Sequence, residues 1–245
     1  MTTFTIPQDF LSGPSPQVQK SDVDFRYTEL PEYEGRYATV LDNVFTKDEC
    51  DTLVRAAEAQ SNGTWEQAMI NIGGGAQALM TDTRDCGRII WDDTEVVERI
   101  WSRVKDLVPE IESLKGMARV TGNGPAMRGE TWKMTRLNER MRFLKYGAGQ
   151  YFKPHNDGCY VTPDGKEISF YTLHLYLNES NPTNKLQGGA TTFHSYNMQR
   201  SLDVDPKVGR VLIFQHRDLL HSGADVTGGT KLTLRTDLMY GKVKK

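Results

Sequence analysis

Hydrophobic and polar positions change period near the middle of the chain. In the first half, RYATVLDNVF (36–45) is rich in β-branched and aromatic residues and partly alternating, which predicts a strand. Thr46 and Glu49 stand three apart, the spacing at which a hydroxyl and a carboxylate each satisfy the other residue's backbone N–H. Cys50, Leu53, Val54 and Ala57 then follow at helical intervals. A second amphipathic helix is expected after Asp93-Thr94, where Val97, Ile100, Trp101, Val104 and Leu107 recur every three or four residues until Pro109 ends the pattern. Trp101 is thereby assigned to the core. Between the helices, Asn62 to Arg84 holds Gly73-Gly74-Gly75-Ala76 and no sustained period, which predicts a long loop, either a lid or substrate-binding segment or a disordered one.

From about Trp132 the chain breaks into short β-rich runs separated by Gly, Pro and Asp: MRFLKY (141–146), ISFYTLHLYLN (168–178), GATTF (189–193), RVLIF (210–214) and KLTLRTDLMY (231–240). No helices alternate with these strands, so a doubly wound α/β fold is disfavoured. The expected fold is mainly β with flanking helices, built on a double-stranded β-helix (jelly-roll, cupin-like) core whose outer face the helices cover. The expected organisation is one domain over 1–245: a loosely held lead-in at 1–35, a helix-containing part at 36–131 and the jelly-roll core with its site at 132–245.

Composition narrows the function classes. With 38% hydrophobic and 25% charged residues the chain is ordinary for a globular protein. It has no apolar run of membrane-spanning length and no secretory signal pattern, so neither a membrane partner nor export is expected, and a cytoplasmic setting is. The net charge of -2, with acids and bases interspersed, gives no footprint for nucleic acid. Cys50, Cys86 and Cys159 are odd in number and far apart, which predicts reduced, separate thiols.

The candidate chemistry lies in the β-rich half. In Pro154-His155-Asn156-Asp157 an extended backbone points the imidazole and the carboxylate to one side. By itself that pair is half a metal site. His221, following the strand at 209–214, is the candidate third ligand, with His216 its rival. Two imidazoles and a carboxylate form the facial triad of non-haem Fe(2+) oxygenases, which leaves coordination positions open for a 2-oxo acid and O2. A chelating 2-oxoglutarate would bury its distal carboxylate, and a buried carboxylate needs a fixed cation. Lys231, Thr233, Arg235 and Asp237 share one strand face, with Leu232, Leu234 and Leu238 on the other, so Lys231 and Arg235 both qualify as the anchor. His174 is either a pocket residue or a hydrogen-bonded core histidine, and His194 is expected to be structural.

The segments Tyr146-Gly-Ala-Gly149-Gln-Tyr151-Phe-Lys-Pro-His155-Asn-Asp157 and His221-Ser-Gly-Ala-Asp-Val-Thr-Gly-Gly-Thr-Lys231 resemble the prolyl 4-hydroxylase superfamily of Fe(2+)/2-oxoglutarate dioxygenases over about the C-terminal half. The resemblance implies His155, Asp157 and His221 as metal ligands and catalytic centre, favours His221 over His216, and puts Lys231 ahead of Arg235 as the 2-oxoglutarate anchor. It implies that Tyr146, Thr172 and Tyr176 line the co-substrate pocket, and that Gly188-Gly189-Ala-Thr-Thr-Phe193 forms the turn and strand that follow. Phe152 stands where the family usually has tyrosine, with Tyr151 beside it, which leaves open which hydroxyl meets the co-substrate. Arg84 and Arg88 resemble the segment flanking the substrate cleft. The implied reaction oxidises an unactivated C–H bond of a small molecule or a prolyl or other peptidyl substrate, with Fe(2+), 2-oxoglutarate and O2, release of succinate and CO2, and ascorbate as a candidate auxiliary reductant. Retention of Asp157 favours hydroxylation, since related halogenases replace the carboxylate by a small residue. The alternatives are a cupin-like metal protein without turnover and a zinc hydrolase, the latter lacking a well-placed general-base glutamate.

Overall fold

The computed structural model describes residues 4–13, 15–73 and 76–243. Strands form in both halves of the chain. First come β1 (Gln19–Asp22), β2 (Ala38–Asp42) and α1 (Lys47–Gln60), then the short β3 (Glu66–Gln67), β4 (Ile70–Gly73), β5 (Ala76–Ala78) and β6 (Arg84–Asp85), and then β7 (Gly87–Asp92) and α2 (Thr94–Val104). After β8 (Ser113–Lys115) and the short α3 (Ala118–Thr121) and α4 (Asn123–Met127) follow β9 (Thr131–Leu137), β10 (Arg140–Tyr146), β11 (Tyr151–His155) and β12 (Glu167–Tyr176). The remaining strands are β13 (Gln187–Gly188), β14 (Thr191–His194), β15 (Ser201–Val204), β16 (Val211–Gln215), β17 (His221–Gly223), β18 (Val226–Gly228) and β19 (Lys231–Lys242).

The large antiparallel sheet runs β1-β2-β16-β12-β19-β10-β7-β3, and β9 pairs with β19 and β8. The smaller sheet runs β15-β14-β17-β11-β6. The strand period of two splits the large sheet into unlike faces. Leu41, Phe143, Leu173, Leu175, Ile213, Leu234 and Leu238 pack outward against Cys50 and Leu53 of α1 and Val97, Ile100 and Trp101 of α2. Fully burying one such Leu or Ile contributes roughly 1.5–3 kcal/mol, and both helices start as their sequences require. Thr46 and Glu49 form the expected reciprocal cap, and Asp93 caps α2 through the Val96 N–H. On the inner face Tyr176, Leu212 and Phe214 meet Phe193 and Val204 of the small sheet. This is the expected jelly roll with helices on its outer face.

Two local expectations are corrected. The segment 62–84 is not one irregular loop: β4 and β5 form a hairpin and β3 and β6 add to the edges of the two sheets, while Gly74 and Gly75 lie outside the described residues. Backbone N–H and C=O groups find ladder partners there in runs too short to leave a period in the sequence. Nor is the lead-in loose from residue 19 onward. β1 pairs with β2 over Gln19↔Asp42 to Asp22↔Thr39, and Phe25, Leu30 and Tyr33 are buried. All four β1 side chains are exposed, so no alternation announced the strand.

Candidate metal centre

β11 and β17 bring His155 and His221 directly opposite each other in register, and Asp157 follows β11 by two residues. Asp157 Oδ1 lies 3.6 Å from His155 Nε2, and Oδ2 lies 3.8 Å from His221 Nε2. One ligand atom from each of the three residues falls within 4.8 Å of the others, and no other such group of His, Cys, Asp and Glu occurs among the described residues. In each imidazole Nδ1 is taken by a backbone carbonyl two residues back, Lys153 O at 2.9 Å and Leu219 O at 3.0 Å. Those bonds put the proton on Nδ1 and leave both Nε2 lone pairs facing the carboxylate. Burial, with His155 beside it, pushes His221 down to about 3, so its imidazole is neutral and able to bind metal at neutral pH. Burial opposes ionisation of Asp157, but the Arg235 guanidinium and then the two imidazoles outweigh it and hold the carboxyl well below the usual range. Nitrogen, nitrogen and carboxylate oxygen on one side of a point, in a cleft partly open to solvent, fit an Fe(2+) ion with open positions.

Lys231 and Arg235 both line this cleft, but their partners differ. Arg235 Nη2 lies 3.0 Å from Asp157 Oδ1 and 3.5 Å from Asp237 Oδ1. Lys231 is 2% exposed and, among the described residues, makes no ion pair or hydrogen bond. Its Nζ lies over the rings of Tyr146 at 5.5 Å and Tyr176 at 5.7 Å, and burial pushes its pKa down to about 7. The Gly188-Gly189 turn makes room for it, since a Cβ on Gly189 would meet Lys231 Cδ at 3.1 Å.

The other expected pocket residues separate. Tyr146 and Thr172 line the cleft, and Thr172 Oγ1 donates to Asp157 Oδ2 at 2.6 Å. Tyr176 does not line it: its hydroxyl turns to Thr191 Oγ1 at 2.6 Å and the Val204 carbonyl, leaving the ring to back Lys231. Tyr151 points its hydroxyl away, to the Thr81 and Asp82 carbonyls. Phe152, at the family's tyrosine position, instead stacks on His155 with centroids 3.7 Å apart. His174 lines the cleft with Nε2 unpartnered, and burial followed by the Lys231 and Arg235 charges holds it neutral. His216 lies apart from the triad, 3.8 Å from Asp237, and His194 bonds Ser222 at 2.7 Å. Arg84 lines the cleft; Arg88 is buried beside it, held by the Met69 carbonyl and Gln77. Sequence reasoning missed Arg142, whose signal was its even spacing from Tyr146 on β10.

Residues 141–236 match the model of the 2OG-Fe(II) oxygenase superfamily. Solved structures share the fold at low identity. A viral collagen prolyl hydroxylase from Paramecium Bursaria Chlorella virus-1, in its 2OG complex, is 19% identical over 84% of this chain and 97% of its own, with a TM-score of 0.52. A Pseudomonas putida prolyl-4-hydroxylase is 14% identical over 87% and 97%, TM-score 0.55. A Trichoplax adhaerens prolyl hydroxylase, in complex with a hypoxia inducible factor oxygen degradation domain peptide fragment, is 16% identical over 85% and 86%, TM-score 0.54. No curated protein matches the sequence significantly. No helix among the described residues is long and apolar enough to cross a membrane.

Proposed function

We propose that this chain, which matches the 2OG-Fe(II) oxygenase superfamily over residues 141–236, is a 2-oxoglutarate-dependent oxygenase that hydroxylates an unactivated C–H bond of a small molecule or of a prolyl or other peptidyl substrate, converting 2-oxoglutarate and O2 to succinate and CO2. The observation that carries the reading is the coincidence of a convergent His155, Asp157, His221 cluster with a buried, unpaired Lys231 in the same cleft. Bound Fe(2+) and 2-oxoglutarate supply the oxidising chemistry. His155 and His221 hold the metal through Nε2, each ring fixed by its Nδ1 bond, and Asp157 holds it through a carboxylate oriented by Thr172 and Arg235. Lys231 anchors the distal carboxylate of 2-oxoglutarate, an ion pair that compensates two charges each costly to bury alone. Arg235 is already paired with Asp157 and Asp237, which favours Lys231 for that role. Tyr146 and His174 line the co-substrate space, and Phe152 shields His155 from water. Strands from residues 19–42 complete the sheet that carries the site, which supports one domain over 1–245, and three free thiols suit a reducing, cytoplasmic setting. O2 consumption matched by equimolar succinate, on addition of 2-oxoglutarate to Fe(2+)-loaded protein with ascorbate present, tests the proposal. Succinate absent with Fe(2+), or a hydrolytic activity supported by Zn(2+) instead, would refute it.

A further inference from the structure

The reaction proposed above leaves a second group of charges unused, Arg84 of the small sheet with Arg88 and Arg142 of the large one. Arg142 on β10 is the register partner of Arg235 on β19, and Arg88 on β7 lies opposite Leu144, two residues along the strand from Arg142. Arg84 holds its guanidinium 4.5 Å over the Phe152 ring, with Nε 3.4 Å from Cys86 Sγ. Arg84 and Arg88 are 6% and 4% exposed, and among the described residues neither has a carboxylate partner. Arg88 donates only to the neutral Met69 carbonyl and Gln77 side chain, and its Nε is unpartnered. Glu66, opposite it on β3, makes no ion pair with it. Besides Glu66, whose charge acts on Arg88 without an ion pair, the acids near this group are Asp157 and Asp237. Asp157 is committed to the metal, and Asp237 is shared between Arg142 at 3.1 Å and Arg235 at 3.5 Å. Arg235 also keeps a buried Nε without a partner. The crowding is strong enough that burial and then the Arg84 and Arg142 charges lower the pKa of Arg88.

Cations buried without counter-charge are costly unless a ligand brings the charge. Lys231 meets the 2-oxoglutarate tail, so these guanidiniums must be met by something else. We propose that Arg84, with Arg88 and Arg142 beside it, forms the recognition wall for a carboxylate of the oxidised substrate. The inference rests on the oxygenase reading and narrows its substrate class, since a planar carboxylate matches the guanidinium fork in two-point contact and a neutral peptide backbone does not. The carboxylate belongs either to a free acid or to an acidic residue of a peptide.

The test pairs acids with their neutral analogues. Full-length Fe(2+)-loaded protein is given 2-oxoglutarate and O2 with free L-amino acids and short mono- and dicarboxylic acids, each alongside its primary amide. End-blocked prolyl peptides with and without an Asp or Glu form a second arm. Succinate above the substrate-free level reports coupling, and calorimetry on the same probes reports binding without turnover. The acid is expected to exceed its amide by about ten- to a hundredfold in kcat/KM and in affinity. Coupling by free acids or by acidic peptides identifies the source of the carboxylate, and either supports the wall. R88Q and R142Q are expected to raise KM for the active acid by about ten- to a hundredfold, with little change for its amide. Equal coupling by amides or neutral peptides overturns the inference, as does acid-selective binding by none of the probes, or a rise in KM confined to 2-oxoglutarate. The wild-type acid-to-amide comparison stands even where a variant fails to fold. Failure of the oxygenase reading itself shows separately, as protein that binds neither Fe(2+) nor 2-oxoglutarate.

Discussion

The two faces of the large sheet are made by the same strands, residue by alternate residue, and they are built on opposite terms. Outward, Leu173, Leu175, Leu234 and Leu238 close against α1 and α2 with essentially no exposure. Inward, the neighbouring positions are Thr172, His174, Thr233, Arg235 and Asp237, and among the described residues most buried polar side-chain atoms without a hydrogen-bond partner cluster there: His174 Nε2, both His216 ring nitrogens, Thr233 Oγ1, Arg235 Nε and Asp237 Oδ1. A fold tolerates unpaired buried polar groups only where burial elsewhere offsets their cost. The outer face supplies the stability, and the inner face keeps its polar atoms available for ligands.

That division can be broken at chosen positions. Replacing a candidate metal ligand facing that inner side by Asp157→Ala or His221→Ala should lower succinate formation by more than about a thousandfold while the melting temperature falls little; comparable losses of both would show that the cluster is structural. Leu234→Ala, one residue from the site but on the outer face, should cost about 2–5 kcal/mol in denaturant titration and leave the Fe(2+) stoichiometry of the folded protein intact. Lys231→Met should raise KM for 2-oxoglutarate by about ten- to a hundredfold with kcat less affected, whereas an equal fall in kcat alone would move Lys231 out of the anchoring role. The smallest effect is in pH. Burial sets free Lys231 near 7, so its charged form is fully present below that value and is lost as pH rises through it. Affinity for 2-oxoglutarate should therefore hold below about 7 and weaken by up to about tenfold per pH unit above it, and Lys231→Met should abolish that slope.

The same contrast explains what could be read from the chain in advance. Outer-face leucines and helix stripes announce themselves by period, and His155 with Asp157 did so by spacing. His221 and Lys231 were set ahead of His216 and Arg235 by the resemblance, since the strand pattern alone admitted both members of each pair. Edge strands such as β1 and β6 were not legible: β1 buries no side chain, β6 is two residues long, and both form by backbone pairing with distant partners. The assignment of the Tyr176 hydroxyl to the cleft failed for a related reason: an even position fixes a face, but whether a hydroxyl reaches the cleft or Thr191 depends on β14, fifteen and more residues away. Arg142 was hidden among ordinary alternating charges until the register set it beside Arg235.

Diffraction at the iron edge, from crystals equilibrated with Fe(2+) and 2-oxoglutarate without oxygen, tests the inner face most directly. A single iron peak within bonding distance of His155 Nε2, Asp157 and His221 Nε2, with the distal carboxylate of 2-oxoglutarate on Lys231 Nζ, is the predicted result. Iron bound elsewhere, or that carboxylate resting on Arg235 with Lys231 still unpaired, would contradict it.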